Sequence, residues 1–399
     1  MRVILVKGRS AYDALRIFTD GLAQAFAARG YEPVILDAPA EPDLPAALRR
    51  EAAAGPVALM HSFTLLGEWR DGEGRTAGEI LGAPQVIQYV DYPFTHMQRI
   101  DGTSRAAAIL TIDESHAEAI RSVYGADHFA HVGFCPHAAI GEPNPREPDA
   151  AAFAAARPIP ILFSGTFYKA DTPPWAAQEA RIRRIFEGAA ELALASEWMP
   201  ALEALDISMT GMGLSPADPS LAGFRKNATF VHEHVRGHRR FELLKAAAKA
   251  GLPLHVYGKG YEKHLYRFKN VTYGGEADLN QVIALMRQAR VVLNVNANFG
   301  RGSHERPLTA LMAGAAAASD HSQFWAERFQ PDQEILLYRW KALEEGMASV
   351  GALAGDAEAA FAMAGAGQAR VLAEHQWANR VDIILAAADA ARARLMQAA

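Results

Sequence analysis

VVLNVNANFGRGSHERPLTALMAGAAAASD, residues 291–320, is the stretch on which the fold turns. The short β-branched run 291–295 reads as a buried strand, and a glycine-rich loop follows it. Pro307 suits the first turn of a helix over 307–312, with Ser303 or His304 to start it and Gly314 to end it. The apolar run 315–318, closing on Asp320, is the next strand. Strand, helix and strand at this spacing form a βαβ unit. Such units build parallel sheets with helices on both faces.

The alternation continues outward. Upstream, 161–164 is a strand before the loop Gly165-Thr166-Phe167, and 181–195 is a helix. The run 241–250 is a helix stopped by Gly251, and 254–257 is a strand before Gly258-Lys259-Gly260. A strand at 271–273 precedes Gly274-Gly275, and 279–287 is a helix. Nearer the N-terminus a second series has strands at 3–6, 32–36, 57–60, 85–90, 107–112 and 131–135, with helices at 12–29, 44–54 and 114–123. Between the two series, 141–158 opens with GEPNPREPD and has the composition of a linker. The expected organisation is an N-terminal Rossmann-like domain at 1–150 and a C-terminal one at 159–370. A helix at 371–397 is expected to cross back onto the first domain. A chain of 399 residues is long enough for two such cores.

Composition narrows the function classes. Half of the residues are hydrophobic and 21% are charged, as in a globular enzyme. A net charge of -5 supplies no basic field for nucleic acid or an anionic membrane. With Cys135 as the single cysteine, neither an internal disulfide nor a cysteine zinc site can form. The first apolar run is too short for a signal peptide, and no run of 18 apolar residues occurs, so the cytoplasm is the expected compartment.

Ligands of open α/β sheets bind beyond the carboxyl ends of the strands. In the second half the loops there are SGTFYK (164–169), YGKGY (257–261), YGG (273–275) and NANFGRGSHERP (296–307). Four glycine- and cation-rich loops on one edge suit close backbone approach to a ligand. A helix beginning after His304 and Glu305 offers free N–H groups to an anion, and Arg306 adds a planar fork suited to phosphate oxygens. Thr309 lies one turn further on. There is no G-x-G-x-x-G fingerprint, no P-loop and no H-E-x-x-H. His232 and His234 would share one face of a strand, but no further ligands accompany them, and no metal is expected. In the first half, His61, Asp91, His96 and Asp113 stand at strand ends. Transfer to a hydroxyl needs a general base, for which Asp91 and His61 are the candidates. Helix capping is the competing role for Asp91 and Asp113.

The stretch 291–320 resembles the donor-binding segment of the spore-maturation-protein-like (CgeB-type) glycosyltransferases, within the broader GT-B "glycosyl transferases group 1". Asn294, Arg306, Ala310, Gly314 and Asp320 carry the resemblance. It extends to ILFSGTFYK (161–169), to 239–261, to 270–294 and to EHQWANRVDIIL (374–385). It implies a GT-B architecture of two Rossmann-like domains facing a cleft, and sugar transfer from a nucleotide-sugar donor with release of a nucleoside diphosphate. By the same resemblance the diphosphate lies at the helix near Pro307, held by His304, Arg306 and backbone N–H groups, with Glu305 among the donor-binding residues. Gly165 and Thr166 approach the phosphates, and Lys169 or Lys259 neutralises them. The base packs near Tyr257, Gly258, Tyr273 and Gly274. No metal or other cofactor is implied, and the acceptor is a glycan, a protein or a lipid-linked sugar. Relatives carry a Glu where this chain has Thr309, so the stereochemical outcome stays open. A GT-B epimerase and a non-catalytic nucleotide-sugar-binding scaffold are the other readings.

Overall fold

The computed structural model describes residues 1–167, 172–296 and 298–398. The chain forms two compact units, Met1–Ala138 with Gln376–Ala399, and Ala139–His375.

The first unit is built on six parallel strands: β1 (Arg2–Lys7), β2 (Glu32–Asp37), β3 (Val57–Phe63), β4 (Gln85–Tyr89), β5 (Ala108–Thr111) and β6 (His131–Phe134). Their order is β2-β1-β3-β4-β5-β6. Ile4, Val6 and Met60 pack with Leu48 and Leu81 of the helices Leu44–Ala53 and Ala77–Leu81. Ile87, Tyr89 and Ile109 pack with Ile100 and Ile120 of the helices Met97–Gly102 and Glu114–Tyr124. The helices Ala14–Ala28 and Val381–Ala398 also pack on this sheet. Burial on both faces explains why its central strands read as unbroken apolar runs. Trp377 packs against Phe63, ring centroids 5.5 Å apart, and Arg380 donates to the carbonyls of Pro136 and His137. These contacts tie the last residues to this unit.

The second unit has β7 (Ile159–Ser164), β8 (Leu254–Tyr257), β9 (Val271–Gly275), β10 (Ala289–Leu293), β11 (Ala316–Asp320) and β12 (Leu336–Tyr338), all parallel, in the order β12-β11-β10-β7-β8-β9. Its core joins Ile161, Val256, Val291 and Leu293 to Leu243, Met347, Val350 and Met363 of three helices.

Several elements differ from the sequence reading. The stretch 141–158 is not a bare linker. Asp149 caps a helix Ala150–Ala156 whose Phe153 is fully buried. The helix expected from 241 begins thirteen residues earlier, as Ala228–Lys249, so His232 and His234 stand on a helix and not on a strand. Two residues apart on a helix, they point in nearly opposite directions. Among the described residues, no group of three or more metal-ligating side chains is placed to hold an ion. The helix Ala201–Gly211 and the edge strand β12 were not expected at all. The stretch 371–397 is three elements, the end of the helix Ala357–Glu374, a 3-10 turn at Trp377–Arg380 and the helix Val381–Ala398. Among the described residues, no helix is long and apolar enough to cross a membrane.

Arg157 pins the second sheet. Its guanidinium is wholly buried and donates to the carbonyls of Met286, Ala289 and Ala313 at 3.0–3.2 Å, with Glu147 at 3.2 Å. These are the carbonyl ends of two helices and the start of a strand, where a cation is favoured. Arg157→Ala strands three carbonyls and a carboxylate and is expected to cost about 3–5 kcal/mol. Urea unfolding of the two proteins checks this, and equal midpoints would overturn it.

Candidate functional site

In the second sheet the chain leaves β7 toward β8 and β9, then returns to the other side of β7 for β10, β11 and β12. The strand order reverses between β7 and β10. In open sheets a crevice opens at that point, beyond the strand ends. Two loops flank it, 164–167 after β7 and 294–304 after β10.

The first loop continues β7 in extended form. The N–H groups of Gly165 and Phe167 donate to the carbonyls of Tyr257 and Lys259, at 3.0 and 2.9 Å. The carbonyls of Ser164 and Thr166 accept from Arg306 Nη1 and Arg240 Nη1, at 2.8 and 2.7 Å. In extended chain the N–H and C=O of a residue point the same way, and successive residues alternate. With 165 and 167 turned toward β8, Thr166 turns its N–H to the opposite side, where β10 lies.

The second loop is shaped by one buried amide. Asn296 is 2% exposed. Its Nδ2 donates to the carbonyls of Phe299 and Gly302, its Oδ1 accepts the N–H of His304, and its own N–H donates to Asp320. Asn298, in left-handed conformation, donates to the main-chain carbonyl of His232 at 2.9 Å. The loop delivers the chain to the helix Glu305–Met312, whose N-cap His304 forms no side-chain capping bond. Its ring packs on Phe299 instead, centroids 4.4 Å apart. The helix thus starts two residues before Pro307. Glu305 lies in its first turn, 3.9 Å from His304 Nδ1 and 4.0 Å from Arg306 Nε.

On the β8–β9 side the backbone is crowded. A Cβ on Gly258, at φ +132°, would lie 2.0 Å from the Gly165 carbonyl oxygen, and one on Gly274 would meet the Tyr257 ring at 2.2 Å. Tyr273 Oη donates to the Gly258 carbonyl at 2.8 Å. Only glycine fits at either position.

The expected site residues therefore separate. Gly165, Thr166, Gly258 and Arg306 meet at the crevice, Tyr257, Tyr273 and Gly274 form the wall beside it, and His304 and Glu305 open the helix. Lys259 is exposed, with its Nζ 4.0 Å from Glu276. Thr309 is buried, and its hydroxyl accepts the N–H of Ile140 at 3.3 Å. Lys169 lies outside the described residues. Arg240, Asn296 and Asn298 had not been singled out. The alternating asparagines of LNVNAN were the one local signal for the latter pair.

In the first unit, β3 continues past His61 to Phe63, so His61 does not stand at the strand end. It is 1% exposed, and burial pushes its pKa down to about 4, opposed by a bond to Gln88. Asp91 follows β4, is half exposed, and lies 3.5 Å from His96 Nε2. Asp113 caps the helix Glu114–Tyr124 by accepting the N–H of Ser115.

Residues 239–386 match the family described as "Glycosyl transferase-like". No curated protein matches the sequence. The sucrose-phosphate synthase of Thermosynechococcus elongatus aligns over 100% of both chains at 13% identity, with a TM-score of 0.53. HepE of Anabaena, solved in complex with UDP-glucose, aligns over 96% of this chain and 98% of its own at 11% identity, with a TM-score of 0.50. At these identities the likeness is one of fold. The fold is GT-B, with two parallel six-stranded sheets and flanking helices.

Two outcomes are expected. Asn296→Ala frees two carbonyls and an amide, and amide exchange over 298–304 should quicken by about tenfold, the scale of one buried hydrogen bond. Wild-type protection would refute this role. His61 has a folded pKa below its unfolded value, so its stabilising contribution is present above about pH 6.5 and is lost as pH falls toward 4. Between pH 7.5 and 5 the wild type should lose about 2 kcal/mol that His61→Leu retains. Parallel pH profiles of urea stability in the two proteins would rule it out.

Proposed function

We propose that this protein is a glycosyltransferase that binds a nucleotide-sugar donor in the crevice between β7 and β10, in the manner of the CgeB-type enzymes that its sequence resembles. The observation that carries the reading is that three kinds of cationic or N–H donor gather at the ends of β7 and β10. They are the first turn of the helix Glu305–Met312, whose N-cap side chain makes no capping bond, the Arg306 guanidinium bound to the Ser164 carbonyl, and the Thr166 N–H, which the alternation of the extended chain turns away from β8. A helix N-terminus and a guanidinium are the groups that bind phosphate oxygens. Arg306 is oriented by the Ser164 carbonyl through Nη1, with Glu305 4.0 Å from its Nε, and offers its guanidinium to a diphosphate in competition with that carboxylate. The base packs against Tyr257, Gly258, Tyr273 and Gly274, where the backbone is close enough to meet a flat ring. Lys259 adds an exposed charge beside them.

In the reaction an acceptor hydroxyl attacks the anomeric carbon, the bond from that carbon to the phosphate oxygen breaks, and the nucleoside diphosphate leaves with the bonding pair. Arg306 and the helix N-terminus take up the charge that grows on the leaving group, the role filled elsewhere by a metal ion. We assign the proton acceptor to Asp91, which is half exposed and lies near His96. His61, which is buried and neutral at pH 7, does not suit that role. The HepE complex with UDP-glucose supports a uridine donor as the first to try.

Titration with UDP, GDP, dTDP and CDP, with and without EDTA, tests the reading. One saturable ligand indifferent to EDTA is expected. Arg306→Ala should weaken it by about 10- to 100-fold, the scale of a charge-assisted hydrogen bond. Unchanged affinity in Arg306→Ala would remove the diphosphate from this crevice.

A further inference from the structure

The chain between β7 and β8 is far longer than a single crossover helix. It contains the helices Ala180–Ala195, Ala201–Gly211 and Ala228–Lys249. The last of these touches both loops of the crevice. The main-chain carbonyl of His232 accepts from Asn298 in the loop after β10, and Arg240 Nη1 donates to the carbonyl of Thr166 in the loop after β7. The two grips are eight residues apart, about 12 Å along the helix axis. One rigid element thus fixes a point in each loop.

We propose that Arg240 is a positioning residue for diphosphate binding, acting through Thr166. The inference rests on the donor reading of the crevice. Arg240 is 5% exposed and its Nη1 is engaged by the Thr166 carbonyl, so it acts on a ligand through the backbone it holds. Three contacts hold the backbone on either side of the Thr166 N–H. Arg306 holds the peptide before it through the Ser164 carbonyl. The Gly165 carbonyl oxygen fits against Gly258, where no Cβ is tolerated. Arg240 holds the Thr166 carbonyl itself. Without Arg240, the peptide after Thr166 is held only by the Phe167 N–H bond to Lys259, so the backbone at Thr166, its N–H included, is less firmly placed, while the base-binding wall at Tyr257 and Gly274 keeps its own contacts. The loss therefore falls on the phosphate that the Thr166 N–H meets and spares the base.

The test compares the wild type, Arg240→Ala, Arg240→Lys and Arg306→Ala. Each is titrated calorimetrically with the nucleoside diphosphate that saturates the wild type, UDP first, and with the matching monophosphate. Melting curves are recorded alongside. Arg240→Ala should weaken the diphosphate by about tenfold and the monophosphate by less than about twofold. Arg240→Lys, which can still reach the carbonyl, should recover most of the loss. Wild-type diphosphate affinity in Arg240→Ala, or an equal loss for both nucleotides, overturns the proposal. If Arg240→Ala fails to fold, Arg240→Lys decides alone. A selective loss of about threefold for the diphosphate upholds the proposal, and no selective loss overturns it. Should the wild type bind none of the four diphosphates, the donor reading itself falls and takes this inference with it. Should Arg306→Ala weaken binding while Arg240→Ala does not, the donor reading stands and only the positioning role is lost.

Discussion

Peptide groups at the end of a strand have no neighbouring strand to bond, yet when buried they must be satisfied. That constraint governs the carbonyl edge of the second sheet. The carbonyls of Ser164 and Thr166 are taken by two arginines, that of Asn294 by the Tyr338 hydroxyl, and those of Phe299 and Gly302 by Asn296. The N–H of Asn296 goes to Asp320, whose other oxygen accepts from Trp340. Each loop is held by side chains distant in sequence, so its backbone is fixed before any ligand arrives. Preorganised N–H groups of this kind bind without a further ordering cost.

Charge follows the same logic. Asp320 is buried, and its pKa is raised by desolvation against the opposing pull of the Asn296 N–H and of Arg239. Arg239 is buried too, and its donors close the end of the helix Ala180–Ala195 on the carbonyls of Ala193, Ser196 and Glu197. The two buried charges act on each other electrostatically. At the surface of the crevice the balance differs. Glu305 brings one negative charge into the helix's first turn, close to both His304 and Arg306. The carboxylate already occupies part of the favourable field at the helix N-terminus. A bound anion therefore competes with Glu305 for Arg306, and the uncharged N–H of Thr166 becomes the donor that no carboxylate disputes.

The βαβ rhythm was legible because glycine and proline punctuate it, as at Gly251, Gly258 and Gly314, and because fully covered strands are short apolar runs. The helix at 307–312 was legible for the same local reason, although its first turn starts earlier, at Glu305. What was not legible depends on partners far along the chain. The run HEHVRGHRR, residues 232–240, reads as polar, yet His232, Arg239 and Arg240 are buried on a helix because backbone carbonyls at 166, 193, 196 and 197 receive the arginines. Arg157 sat in a stretch with the composition of a linker, and nothing nearby foretold three carbonyls gathered from 286–313. His61 was placed at a strand end because HSF breaks the apolar pattern, but Ser62 and Phe63 continue the pairing with β4. β12 is three residues on a sheet edge, too short for periodicity to register.

The helices between β7 and β8 give the crevice a property that the sheet alone would not have. In a minimal βαβ unit the loop after a strand is anchored by the strand and its own helix. Here the loops after β7 and β10 are both tied to Ala228–Lys249, which packs in turn on Ala180–Ala195 and Ala201–Gly211. A ligand that bonds both loops stabilises whatever holds them in place, so its binding energy is shared with the helical insert. The linkage runs both ways. Loosening the insert lowers the population of the arrangement in which both loops face the ligand, and apparent affinity falls by that fraction. A substitution buried in the insert can thus weaken binding without touching the ligand, and the route is the short path from His232 and Arg240 to the two loops.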